Sequence, residues 1–197
     1  MLKNPNLTHL YALMKNTIAA LALTTLAAAA SAQTAAAPAG LSYNRIGFTR
    51  TSQKGLTNQN VLSVSSLLGS SNFLAFAENR TDHGTALGLG YVFKNVAVGI
   101  DAAVTVSSDN EWSSNGSIYS LGLRRSLSEV FAGLEVAIGY STQSTALSTG
   151  TNRVLSYELS YNINKQYSVA YGIQDIRKGL LNGSAEKIQN VSVRYNF

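Results

Sequence analysis

The sequence predicts an all-β protein: a transmembrane antiparallel up-and-down β-barrel of ten strands, with eight as the alternative. Three observations lead there. An export signal opens the chain, period-two alternation fills the rest, and both phases of that alternation avoid charge. Of the 197 residues, 45% are hydrophobic and only 13% charged, with a mean hydropathy of +0.04. Soluble domains carry about 25% charge. A disordered chain would be more hydrophilic. A helical membrane protein would need a run of roughly 18 apolar residues, which is absent. The chain has no cysteine, which excludes thiolate metal sites, disulfide frameworks and cysteine catalysis.

The export signal occupies residues 1–32, with Met14 as a possible true start. Lys15 precedes the apolar run from Ile18, and Ala30-Ser31-Ala32 closes it. A basic start, a short apolar stretch and an A-x-A ending are the three parts of a secretory signal. The small side chains of Ala30 and Ala32 suit a signal peptidase, which places the cut before Gln33. Residues 33–40 read as a flexible lead-in. Removing Lys3 and Lys15 leaves thirteen basic against ten acidic residues, 13 − 10 = +3. That charge is mild and scattered, so no nucleic-acid partner is expected.

The barrel is assigned to residues 41–197. Strands are expected near 41–51, 56–67, 72–80, 84–93, 96–106, 116–126, 130–142, 151–163, 166–175 and 186–197. The clearest alternate strictly: Val96, Val98, Ile100, Ala102, Val104 and Val106 share one phase, with Ala97, Gly99, Asp101, Ala103 and Thr105 on the other. Lys94-Asn95, Leu127-Ser128-Glu129 and Asn164-Lys165 read as short turns. Ser107 to Asn115, Gln143 to Gly150 and Ile176 to Ala185 read as longer loops. Short periplasmic turns and longer outer loops characterise outer-membrane barrels.

A soluble sandwich or lipocalin would also alternate, with its large residues inside. The smaller phase here is rich in Gly and Ala rather than Lys, Glu and Thr, which suits a lumen instead. Aromatic residues also gather at strand ends. Phe93, Tyr161, Tyr167, Tyr195 and Phe197 lie near short turns, and Tyr119 and Tyr140 near long loops. Two such groups suit the two membrane interfaces.

Seven charges fall in the smaller phase: Arg45, Glu78, Asp101, Arg124, Glu135, Glu158 and Arg194. An Arg on the lipid face near midplane costs about 2–4 kcal/mol, so these should face inward and pair. The expectation is a lumen charge belt in which Arg124 bridges Asp101 and Glu135. Four acids against three arginines would give a slight cation preference.

The chain ends in Val191-Ser192-Val193-Arg194-Tyr195-Asn196-Phe197. With the export signal and the alternating strands, this ending resembles the small Gram-negative outer-membrane β-barrel family, of the outer-membrane-protein-A-like and porin-like type. The likeness covers 41–197. It implies that Val191, Val193, Tyr195 and Phe197 form the assembly signal read by the barrel-assembly machinery. It also implies residence in the cell outer membrane, with lipid as a partner; the expected state is a monomer.

No enzyme is expected. Lipid A deacylases need a His-x-Ser pair, whereas His83 is followed by Gly84-Thr85. Omptin proteases use an Asp–His pair, but adjacent Asp82 and His83 would point to opposite faces of a strand. No metal-ligand spacing or phosphate-binding glycine loop is present, and no cofactor is implied. The expected function is a structural barrel or a narrow porin-like passage for small solutes. The alternative is a surface-interaction barrel acting through its outer loops, where Trp112 is the candidate aromatic anchor.

Overall fold

The computed structural model describes residues 41–53, 58–81, 84–111, 114–144, 151–177 and 186–197. The expected signal with Ala30, Ala32 and Gln33 lies outside them, as do Asp82, His83 and Trp112.

Alternation of large and small residues lets one ribbon present a greasy face to lipid and a small face to an interior. Here it generates ten antiparallel strands. They are β1 (Arg45–Gln53), β2 (Gln59–Leu67), β3 (Phe73–Arg80), β4 (Gly84–Ala97) and β5 (Ile100–Glu111), followed by β6 (Ser114–Ser126), β7 (Leu134–Ser144), β8 (Thr151–Asn162), β9 (Tyr167–Arg177) and β10 (Glu186–Asn196). Each strand pairs with its sequence neighbours, and β1 pairs with β10 to close the barrel. The closing register runs from Arg45 opposite Asn196 to Gln53 opposite Ile188. Closure leaves no open sheet edge, the condition for crossing a bilayer with strands.

The large phase faces outward. Phe48, Leu89, Leu121, Ile138, Leu159, Tyr171, Val191 and Val193 are all exposed on the barrel wall. Such a continuous apolar exterior would be a liability in water and is the expected surface in lipid. The aromatic group at the end where β1 begins and β10 finishes is denser than expected. Phe73 meets Tyr91 edge-on at 5.2 Å, Tyr91 meets Phe93 at 4.8 Å, Phe131 meets Tyr161 at 5.7 Å, and Tyr167 meets Tyr195 at 5.4 Å. For an even-stranded barrel exported by an N-terminal signal, this end is expected to face the periplasm.

Three local expectations are corrected. The turn expected at Lys94-Asn95 is a bulge instead, and the chain reverses at Val98-Gly99, where Ala97 pairs with Ile100. Asn95 adopts φ 53° and Gly99 φ 70°. The Asn95 Oδ1 accepts from Gly99 N at 3.0 Å, which ties bulge to turn. Strand 130–142 begins only at Leu134. Val130 and Phe131 belong to a turn in which Leu127 N donates to Leu134 O at 2.7 Å. Gly133, at φ 83°, ends that turn, and a Cβ there would sit 2.7 Å from Asn162 O. Local turn bonding thus overrides the alternation. Finally, Ser107 to Asn115 is no long loop, because β5 and β6 remain paired from Ile100–Arg125 to Glu111–Ser114. Connection length therefore does not separate the two ends of this barrel.

Candidate functional site: the lumen

The inward phase is read from the register. Thr49 opposes Ser192, Gly88 opposes Ser107, Gly122 opposes Gly139, and Ser160 opposes Ala170. Small side chains suit an interior that must hold either water or a few large groups. Some glycines serve the second purpose. The Phe76 ring lies over Gly88, in the volume a Cβ would need. Gly122, by contrast, has nothing within 4 Å of a built Cβ and borders open space.

Six of the seven predicted charges lie toward the periplasmic end. Arg124 Nη2 donates to Glu135 Oε2 at 2.8 Å, and the Asn162 side chain donates to Glu135 Oε1 at 2.7 Å. Glu135 is thereby satisfied at both oxygens while almost wholly buried. Arg194 on β10 grips Glu158 on β8 with both terminal nitrogens, Nη1 to Oε1 at 2.6 Å and Nη2 to Oε2. The intervening strand β9 carries Ser168, Ala170 and Gly172 in the inward phase, small enough for the bridge to span. Bidentate guanidinium–carboxylate geometry is the strong form of this contact. Arg45 stands among Arg124, Arg194, Glu158 and Glu135. Among the described residues no carboxylate lies within ion-pair distance of it.

Two members of the predicted belt are placed differently. Glu78 is in the half of β3 away from the periplasmic turn and pairs with Arg80 at 3.2 Å. Asp101 does not pair with Arg124. Its Oδ1 accepts from Asn95 N at 2.8 Å and its Oδ2 from the Tyr43 hydroxyl at 3.1 Å. Depth does not separate Asp101 from Arg124, which are direct cross-strand partners; the Asp101 oxygens are taken by Asn95 and Tyr43, while Arg124 turns to Glu135 and Ser42 O. The four-acid count behind a cation preference therefore falls.

The larger surprise is the segment 41–44, expected to begin the first strand. It turns into the barrel instead. It is tied at one side of the ring through backbone and side chain: Ser65 Oγ donates to Tyr43 O at 2.8 Å, Leu67 N to Asn44 Oδ1 at 2.8 Å, and Phe197 N to Asn44 O at 3.1 Å. From there it reaches the far wall. Tyr43 bonds Asp101 on β5, and Ser42 O accepts from Arg124 Nη1 on β6 at 2.9 Å. In the ring order β6 stands opposite β1. The Arg124 guanidinium also lies 5.0 Å from the Tyr43 ring centre, a cation–π contact. Tyr43 packs with Leu74 and Val92, flanked by Leu41, Leu67, Phe76 and Ala103. A hydrophobic cluster and a charge cluster thus share the periplasmic mouth, with Tyr43 between them. Sequence reasoning missed Ser42, Tyr43, Asn44 and Asn162, because only the closed ring brings them to the belt, and it missed Arg80, the partner of Glu78 two residues along β3.

The C-terminal residues Val191, Val193 and Tyr195 are exposed on the outer wall. Among the described residues no group of three or more His, Cys, Asp and Glu is placed to hold a metal ion.

Comparison with known proteins bears on the fold. No family model matches the sequence, and no curated protein matches it either. Solved structures do. A KdgM porin aligns at 18% identity and TM-score 0.50, covering 78% of this chain and 99% of that chain. A KdgM porin in complex with disordered oligogalacturonate aligns at 20% identity and TM-score 0.52, with coverage of 78% and 99%. A NanC porin aligns at 10% identity and TM-score 0.53, covering 77% and 100%. The likeness is one of fold: a closed antiparallel barrel, built in this chain from ten strands.

Proposed function

We propose that the protein is a narrow porin-like passage for small solutes across the outer membrane, restricted at its periplasmic mouth. The observation that carries this is the arrangement there: a closed ring of ten strands, an inward phase of small residues, and the segment 41–44 laid across the opening beside three arginines. A ring of eight strands is filled by its own side chains, and ten enclose more. Porin-like structural neighbours support the same reading.

Selectivity follows from the charges in the mouth. Glu135 and Glu158 are each matched by a guanidinium, and Asp101 is engaged by Tyr43 and the Asn95 amide. Arg45 is the charge without a matched partner. A weak anion preference is therefore expected, in place of the cation preference read from the sequence.

Planar-bilayer recording of the purified protein tests this. Small, resolved conductance steps with a reversal potential on the anion side are expected. Arg45→Gln should move that potential toward zero, and Tyr43→Ala should enlarge the steps. A protein that inserts but shows no steps would be a closed structural barrel.

A further inference from the structure

The outer wall is not uniform around its rim. Above the apolar band at the end remote from the termini, β8, β9, β10 and β1 place Arg153, Arg177, Lys187 and Arg50 in the outward phase. Each continues a lipid-facing column. Arg153 follows Leu155, Tyr157 and Leu159; Arg177 follows Tyr171 and Ile173 beyond Asp175; Lys187 stands above Val191 and Val193; Arg50 stands above Phe48. All four are exposed. Along β3 to β7 the outward phase at this rim holds Asn79, Thr85, Ser108, Ser117 and Thr142, none charged.

The basic strip holds one carboxylate among the described residues. Asp175 accepts from Arg177 Nη2 at 3.3 Å, with the Arg177 side chain still 71% exposed. Arg153, Lys187 and Arg50 have no ion pair among the described residues. Arg153 and Arg177 are directly opposed across β8 and β9. Like charges directly opposed across an antiparallel pair repel. An anion between them would turn that cost into a two-guanidinium grip, the geometry suited to phosphate.

We propose that Arg50, Arg153, Arg177 and Lys187 form a docking strip for the phosphorylated headgroups of outer-leaflet lipids. Position selects this occupant. The strip adjoins the acyl-facing band, so its ligand must carry an anionic head and an apolar tail together. Arginines at this depth can reach the interface at little cost, about 0–1 kcal/mol near the bilayer edge. The inference rests on the barrel being embedded in the membrane and does not depend on conduction.

The test is native mass spectrometry of the folded, detergent-purified protein titrated with a bisphosphorylated, acylated glucosamine disaccharide. The same glycolipid without phosphates is the second probe. Retention of the phosphorylated form should exceed that of the other by about tenfold, the scale of one charge-assisted contact. The double variant Arg153→Gln/Arg177→Gln should erase the difference. Arg125→Gln, at the periplasmic end where Arg125 pairs with Glu129 at 2.7 Å, should preserve it. Should the double variant fold poorly, Lys187→Gln and the two-lipid comparison on the unaltered protein still decide. Equal retention of both lipids, or equal loss in Arg125→Gln, overturns the strip. Retention of neither lipid likewise overturns the strip. A non-conducting protein that still prefers the phosphorylated lipid would reject only the passage.

Discussion

The two ends of the lumen solve the same problem differently. Toward the periplasm the interior is filled: Tyr43 packs on Leu74 and Val92, Glu135 is saturated by Arg124 and Asn162, and Arg194 closes on Glu158. Toward the other end the inward phase mixes small and hydroxylic residues with Ile118, Val154, Gln174, Ile176 and Ile188, and the charge pair Arg80–Glu78 is partly solvated, with side chains 26% and 35% exposed. The same kind of contact has different worth in the two places. A buried ion with its partner removed is an uncompensated charge, whereas a wet pair is screened. The filled end should therefore carry stability and selectivity, and the open end neither.

Arg124→Ala offers the sharpest way to break this contrast. It strips Glu135, whose side chain is 7% exposed, of its cation, and removes the donor to Ser42 O. A loss of about 3 kcal/mol is expected, the low end for a broken buried pair. Urea unfolding in lipid vesicles measures it. An effect no larger than that of Arg177→Ala would show that the mouth is solvated throughout.

Packing gives a second, smaller effect. Gly88→Ala must displace the Phe76 ring, while Gly122→Ala meets open space. A cost of about 1–3 kcal/mol is expected for the first and little for the second. Matching midpoints for the two variants would mean that Phe76 is free to leave its place over Gly88.

Tyr43→Phe keeps the ring against Leu74 and Val92 but removes the hydroxyl bonded to Asp101. About 1 kcal/mol should be lost. Step size in the bilayer should barely change, in contrast to the enlargement expected of Tyr43→Ala. Similar conductance in both variants would separate the segment 41–44 from the restriction.

The smallest effect is reserved for the open end. Glu78→Gln should shift the unfolding midpoint by no more than about 0–1 kcal/mol, the range of exposed pairs. A loss rivalling that of Arg124→Ala would erase the distinction between the two ends.

Phe197 stands apart from this ranking because its expected role is in assembly. Its amide closes on Asn44 O beside the mouth. Deleting Phe197 should reduce the yield of heat-modifiable folded protein while export continues. Unchanged yield would remove the terminal aromatic from the assembly signal.

The sequence by itself determined the barrel. A period of two sends alternate side chains to opposite faces, and a chain whose two faces are large-apolar and small has one way to satisfy both in a bilayer. Hence the number of strands, the outward set and the inward orientation of Arg45, Arg124, Glu135, Glu158 and Arg194 were legible. Alternation says nothing of where a strand stops, so Val98, Val130 and Phe131, apolar and in phase, read as strand although turn hydrogen bonds hold them. Nor does alternation say which neighbour a charge takes, which is why Asp101 was given to Arg124, its direct cross-strand partner, and why Glu78, six residues along β3, was placed in the belt. Only tertiary structure could bring the segment 41–44 across the mouth. Its contacts join β1 and β2 to β5 and β6 on the far wall, and these distances exist only once β1 has paired with β10 and the sheet has closed.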